Sequence, residues 1–340
     1  MRKTGVVIDP RFLDHDTGRG HPERPQRIAT LLEWLESAPS TYPRLEPRLA
    51  SGEEIALVHD GAYVADVEKT QAREWFAFDA DTPTCPQSYA TARLAAGAVL
   101  NLLDAVIAGE VDNGFAFVRP PGHHAERDRA MGFCLFNNAA VGAAHLRRRH
   151  GLERILVVDW DLHHGNGTQL MFERDPSVLF VSSHQYPFYP GTGAMNESGR
   201  GDGEGYTVNL ALPAGADDAV YVDAFARVVV PLAHRYEPDF VLISAGFDAH
   251  ARDPLGDMHV TAAGFRRLTR LLQEVAVEQC GGRIAAVLEG GYDLQAIRAS
   301  SQAVLAELAG ADAEADLAAP VVDAPVVDAI VRQQRRYWPL

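Results

Sequence analysis

The chain of 340 residues predicts an α/β fold, a three-layer α/β/α arrangement with a central, mostly parallel sheet flanked by helices. Short apolar runs alternate with longer helical patterns through most of the sequence, and strands separated by helices imply parallel βαβ units. No Ser/Gly linker divides the chain, so residues 1–340 are expected to form one domain.

The expected strands are 5–8, 114–118, 154–159, 178–182, 206–210, 239–244 and 284–288, each a short apolar run. The expected helices are 24–36, 89–108, 137–149, 219–235, 261–278 and 294–309. In the fifth, Phe265, Leu268 and Leu272 fall on one face. Thr261 and Asp293 are placed to cap the last two. Residues 184–205, rich in Gly, Pro and aromatics, read as an ordered active-site loop. Residues 310–329, Ala-rich with a doubled Ala-Pro-Val-Val-Asp, read as a solvated tail or an extended arm on the body. The whole of 310–340 is then a peripheral C-terminal segment, compatible with a homo-oligomer contact.

A net charge of −15 argues against binding a nucleic-acid backbone and suits cationic substrates, or serves solubility alone. No apolar stretch is expected to reach the ~20 residues of a membrane span. Three scattered cysteines and the absence of a signal-peptide pattern fit a reducing, cytoplasmic setting.

Chemistry concentrates where apolar runs end. Ile155–Val158 leads into Asp159-Trp160-Asp161-Leu162-His163-His164-Gly165-Asn166-Gly167. Phe240–Ile243 leads to Asp248, the run at 284–288 to Glu289-Gly290-Gly291-Tyr292, and Phe115–Val118 to Arg119-Pro120-Pro121-Gly122-His123-His124. Ligands of open α/β sheets bind at the carboxyl ends of strands. Asp161 and His163, two apart on an extended segment, point the same way. With Asp248 they make a three-ligand site for a divalent ion with coordination positions left open, the mark of catalytic zinc, although Fe(II) and Co(II) accept such ligands too. His123 and His124 offer an acid–base pair, with Asp159 and Asn166 placed to fix the two rings. Gly290 and Gly291 let the backbone approach a ligand, and the Tyr292 phenol can donate to a developing oxyanion.

With these motifs in order, the chain resembles the zinc-dependent histone deacetylase superfamily, from His21-Pro22-Glu23-Arg24-Pro25-Gln26-Arg27-Ile28 to Glu289-Gly290-Gly291-Tyr292. Asn166, where the class I branch has aspartate, makes it similar to class II, especially class IIb and its bacterial relatives. The resemblance implies an arginase-like fold and one Zn2+ on Asp161, His163 and Asp248. It also implies His123 and His124 as the tandem acid–base pair and Tyr292 as the catalytic tyrosine. Gly132 and Phe133 would line an acyl-lysine tunnel with Tyr189, which replaces a more usual phenylalanine. Gly291 would contact substrate, and Arg27 would help acetate leave. Leu255 occupies a gatekeeper position at which polyamine-preferring relatives can carry glutamate. Potassium is implied near Asp159, Asp161, His163, Ser182 and Ser183, and a second ion near Phe172, Asp175, Val178 and Tyr206.

The implied function is a zinc-dependent amidohydrolase that removes acyl groups from Nε-acyl-lysine-like amides and is sensitive to hydroxamates. Its expected partners are acetylated peptides, proteins or small amines, with neither nucleic acid nor membrane. Three other readings stand beside it: an acetylpolyamine amidohydrolase, a non-catalytic acyl-lysine-binding scaffold, and an arginase-like binuclear hydrolase.

Overall fold

The computed structural model describes residues 2–37, 41–311 and 324–340. Seven strands form one parallel sheet: β1 (Thr4–Val7), β4 (Asn113–Ala116), β5 (Ile155–Asp159), β6 (Val178–Gln185), β7 (Thr207–Leu212), β8 (Phe240–Ala245) and β9 (Ile284–Leu288). A separate antiparallel pair joins β2 (Phe76–Ala77) to β3 (Pro83–Thr84). Every residue of the seven strands is buried, as expected when helices cover both faces of a parallel sheet. The β6 strand runs past the expected end at 182 because β7 pairs with it as far as Gln185↔Leu212.

The strand order is β1-β4-β9-β8-β5-β6-β7. The chain builds β1 and β4, leaves a gap, and builds β5, β6 and β7 outward. It then returns to fill the gap with β8 and β9. The four strands whose ends carry Asp, His and Tyr are therefore the four contiguous ones, β4-β9-β8-β5. That reversal opens a crevice at their carboxyl edge.

The expected helices form at Gln26–Ser37, Ser88–Ile107, Asn138–His150, Ala262–Cys280 and Leu294–Leu308. Thr261 caps Ala262–Cys280 by accepting the Gly264 N–H at 3.2 Å, and Asp293 caps Leu294–Leu308 by accepting the Ala296 N–H at 2.8 Å. The helix expected at 219–235 runs from Asp218 to Tyr236 with a π-helical stretch at Phe225–Val229. Pro231 explains it: proline lacks an N–H, and its ring crowds the carbonyl four residues back.

Two expectations are corrected. Ser88–Ile107 is long and apolar enough, by length and composition, to cross a membrane. In the fold 72% of its most apolar window is buried, so that apolarity serves the core of the domain. Of the tail expected at 310–329, residues 312–323 lie outside the described residues. Beyond them Pro325–Gln334 is a helix, not an extended arm, with Val327, Ile330 and Val331 buried. Short helices at Gly61–Lys69 and Asn166–Phe172 were not expected; both are too brief to show a clear apolar period.

Candidate active site

At the end of β5 the chain bends, and Asp161 and His163 come together as their spacing suggested. His163 Nδ1 lies 3.1 Å from Asp161 Oδ1 and 3.1 Å from Asp248 Oδ2, which arrives from the end of β8. The three donor atoms lie within 4.8 Å of one another, and all three residues are buried. Backbone donors fix the two carboxylates: Leu162 N–H donates to Asp248 Oδ1 (2.8 Å) and Gly290 N–H to Asp161 Oδ2 (2.9 Å). Gly290 has to be glycine, because a Cβ there would strike both carboxylates.

This pocket is crowded with carboxyl groups. Asp159, Asp161, Asp248 and Glu289 are all buried in it. Burial, reinforced by the charge of Asp161, pushes Asp248 up to about 7. Burial also pushes Glu289 up to about 7, against the pull of His123. A divalent cation would relieve that repulsion. The 3.1 Å spacings are near the ~3.3 Å separation of ligands around a tetrahedral ion bonded at ~2.0–2.1 Å, so the residues fit a zinc-like metal.

Two histidines follow β4. Glu289 anchors their turn by accepting the N–H groups of Gly122 (2.6 Å) and His123 (3.1 Å). The two rings are 4.0 Å apart but have different partners. His123 Nδ1 donates to Asp159 Oδ2 at 2.9 Å. Burial alone would lower the pKa of His123; the carboxylates of Asp161 and Asp159 instead hold it well above the usual range. His124 Nδ1 lies 2.8 Å from Asn166 Oδ1. Burial, with the charges of His123 and His163, holds His124 well below the usual range. Glu126 settles which way the Asn166 amide faces. Its Oε1 lies 2.8 Å from Asn166 Nδ2, and a carboxylate can only accept, so Asn166 presents its oxygen to His124. Neutral His124 therefore carries its proton on Nδ1 and leaves Nε2 with a free lone pair.

Tyr292 is positioned through its backbone: Asp253 Oδ2 accepts its N–H at 2.6 Å. Beneath the phenol lies Arg27, fully buried, its guanidinium 5.0 Å from the ring centroid. Arg27 donates to Gly291 O (2.6 Å), to Glu289 O and to Glu23 Oε1 (3.0 Å). Burial holds the Tyr292 phenol well above its ordinary range, although Arg27 pulls the other way, so the phenol stays a donor.

Above these groups opens a cavity of about 190 Å³. His124, His163 and Tyr292 reach it, and Gly132, Phe133, Tyr189 and Leu255 line it, as do Asp81 and Phe188. Phe133 meets the Tyr292 ring edge-on at 5.8 Å, and Phe188 stacks on His163 at 5.7 Å. Tyr189 meets His124 edge-on at 5.2 Å and is 39% exposed. Gly132 adopts φ +56°, and a Cβ there would collide with the His124 ring. Phe133 also has a positive φ, 70°, and its N–H donates to Thr82 Oγ1 at 3.2 Å. Gly291 does not line the cavity; its carbonyl is taken by Arg27.

His164 faces away from the cavity. It binds Thr192 Oγ1 (2.8 Å) and Gln169 Oε1 (2.9 Å), tethering the loop that carries Phe188 and Tyr189. Of the residues implied for potassium, Ser182 pairs with Asp159 in the sheet, and Ser183 Oγ donates to Asp159 O at 3.3 Å. Along the second set, the carbonyls of Phe172, Asp175 and Tyr206 accept backbone N–H groups from Asp175, Val178 and Phe180. Motif reading passed over Glu126, Asp253, Asp81 and Phe188. Only Phe188 had a local signal, its place beside Tyr189 in an aromatic loop.

The histone deacetylase domain family matches residues 21–308. The chain is 42% identical to histone deacetylase 15 of Arabidopsis thaliana, across 99% of this chain and 63% of that protein. It is 48% identical to the polyamine deacetylase HDAC10 of Homo sapiens, across 82% of this chain but 43% of that protein. Against a probable deacetylase of Archaeoglobus fulgidus it is 39% identical, across 92% of this chain and 88% of the relative. The crystal structure of the HDA15 HD domain superposes with a TM-score of 0.92 at 42% identity, covering 99% of this chain and 96% of the other.

Proposed function

This chain belongs to the histone deacetylase family, and we propose that it hydrolyses Nε-acyl-lysine-like amides. One observation carries the reading: a three-ligand set, a histidine with a free Nε2 and a protonated phenol converge from four adjacent strand ends beneath one cavity. Asp161, His163 and Asp248 would hold zinc, which when bound supplies Lewis acidity to the amide carbonyl and to a water molecule.

The chain's own residues do the rest. Phe133, Phe188 and Tyr189 enclose an extended aliphatic side chain and exclude water. The Tyr292 phenol donates to the carbonyl oxygen as it gains charge, an effect that typically contributes ~3 kcal/mol. Neutral His124 accepts a proton from the attacking water at Nε2. It then returns that proton to the departing amine, while Asn166 and Glu126 hold its tautomer. His123, kept cationic by Asp159, adds positive charge beside the reacting carbon. Acetate leaves past Arg27. Potassium, which backbone oxygens near Ser182 and Tyr206 would hold, belongs to the proposal as a structural ion and enters no step.

A second reading, hydrolysis of acetylpolyamines, draws support from Asp81, an acidic residue in the cavity lining that can pair with a distant ammonium. Leu255 in the same wall supplies no such charge. The test is acetate release from an acetyl-lysine peptide and from acetylspermidine, with zinc quantified in the same preparation. Peptide turnover that a hydroxamate stops and His163→Ala abolishes is expected. Failure of a zinc-loaded preparation to cleave any acylated amine would overturn the reading. Faster cleavage of acetylspermidine, lost in Asp81→Asn, would favour the second.

A further inference from the structure

We propose that Asp104, His145 and His150 form a second transition-metal site, remote from the catalytic cavity. The three side chains come from the ends of two helices packed side by side, Ser88–Ile107 and Asn138–His150. Their donor atoms lie within 4.8 Å of one another. Both imidazoles aim Nε2 at the same carboxylate oxygen, Asp104 Oδ1, at 2.7 Å from His145 and 2.6 Å from His150.

Topology places this cluster across the sheet from the catalytic cavity. Ser88–Ile107 leads into the start of β4, and Asn138–His150 into the start of β5. Both helices therefore end at the amino edge of strands whose carboxyl edge bears the cavity. The partial negative charge of a helix C-terminus favours a cation at both ends. Arg48, a nearby positive charge, is already held by both oxygens of Glu54, at 2.7 and 2.6 Å.

Two imidazoles and one carboxylate suit zinc, nickel, cobalt or copper, with the remaining positions open to water. Ligands around a tetrahedral zinc stand ~3.3 Å apart, so Asp104 has to retreat by roughly 0.7 Å to admit the ion. It is free to do so: its side chain is 40% exposed, whereas those of His145 and His150 are 6% and 19% exposed. The rings are thus held by packing, and the carboxylate is the movable jaw. An ion there would clasp the two helices.

The experiment is a titration of chelator-stripped full-length protein with Zn2+, and separately with Co2+ followed by its visible absorption, with bound metal quantified after desalting. Wild type is expected to take up two ions of different affinity. His145→Asn/His150→Asn, and independently Asp104→Asn, should take up one ion and keep wild-type turnover. His163→Ala should lose turnover and the other ion yet keep this one. Melting temperatures near wild type would show that the variants are folded. Unchanged two-ion uptake by folded Asp104→Asn and double-histidine variants would overturn the proposal. So would a single ion in wild type, or loss of both ions on His163→Ala, which would mean that the second ion sits beside the first.

Discussion

Two clusters of similar ligand chemistry stand at opposite edges of one sheet. Asp161, His163 and Asp248 are buried in the crevice at the carboxyl edge; Asp104, His145 and His150 sit half open between helix ends at the other. Ligands alone therefore do not make a catalytic site. What separates the two is their surroundings. The buried cluster has a protonated phenol, two differently tuned imidazoles, a cavity above and a charged network beneath. The peripheral cluster has packing on one side and water on the other.

The largest expected difference is in turnover. His163→Ala should reduce acetate release to background and remove the tightly bound ion, as assayed by turnover with metal analysis. Residual hydrolysis near wild type would erase the distinction between the clusters. Tyr292→Phe should lower kcat by roughly 10²–10³ with the metal retained, because one oxyanion donor is removed from an otherwise intact site. Near-normal kcat would take the phenol out of the chemistry.

Stability sharpens the contrast next. Burial alone would raise the pKa of Glu23, but Arg119 and Arg27 overcome it and hold Glu23 down to about 2. A depressed carboxylate contributes stability that is fully present above its unfolded value of 4.5 and is lost as pH falls toward 2. Glu23→Gln should therefore cost ~3–5 kcal/mol at neutral pH by stranding two buried guanidinium groups. It should also flatten that part of the acid stability curve, as followed by urea unfolding between pH 7 and 2.5. Asp104→Asn, at a half-exposed pair, should cost less than about 1 kcal/mol. Equal costs would mean that the two regions are supported alike.

The smallest effect is a shift in pH dependence. Asn166→Asp places a negative charge against His124, raising the pKa of the proposed base. The ascending limb of the kcat/KM profile should move to higher pH with little change at the plateau. An unmoved limb would count against His124 as the base.

Much of this was legible locally. The strands announce themselves as short apolar runs, and Thr261 and Asp293 cap their helices as read, because burial period and capping act over a few residues. The spacing of Asp161 and His163 brought them together for the same reason. Pro231 was also visible, but the helical period around it masked the local π-helical stretch. The helix at Pro325–Gln334 is hard to see in the sequence because the doubled Ala-Pro-Val-Val-Asp that leads into it looks like low complexity, while its apolar face finds a use only against the body.

By itself the sequence determined the seven strands, the metal-binding residue types at their ends and the histidine and tyrosine beside them, since each is written in contiguous residues. Only the tertiary structure decided that β4, β9, β8 and β5 lie side by side, which makes one crevice of four separate loops. It alone brought Glu126 to Asn166, so fixing the tautomer of His124, and Asp104 to His145 and His150. Those meetings join residues some 40 positions apart or more through helix packing and sheet order, and no short-range pattern in a chain encodes which distant segments will become neighbours.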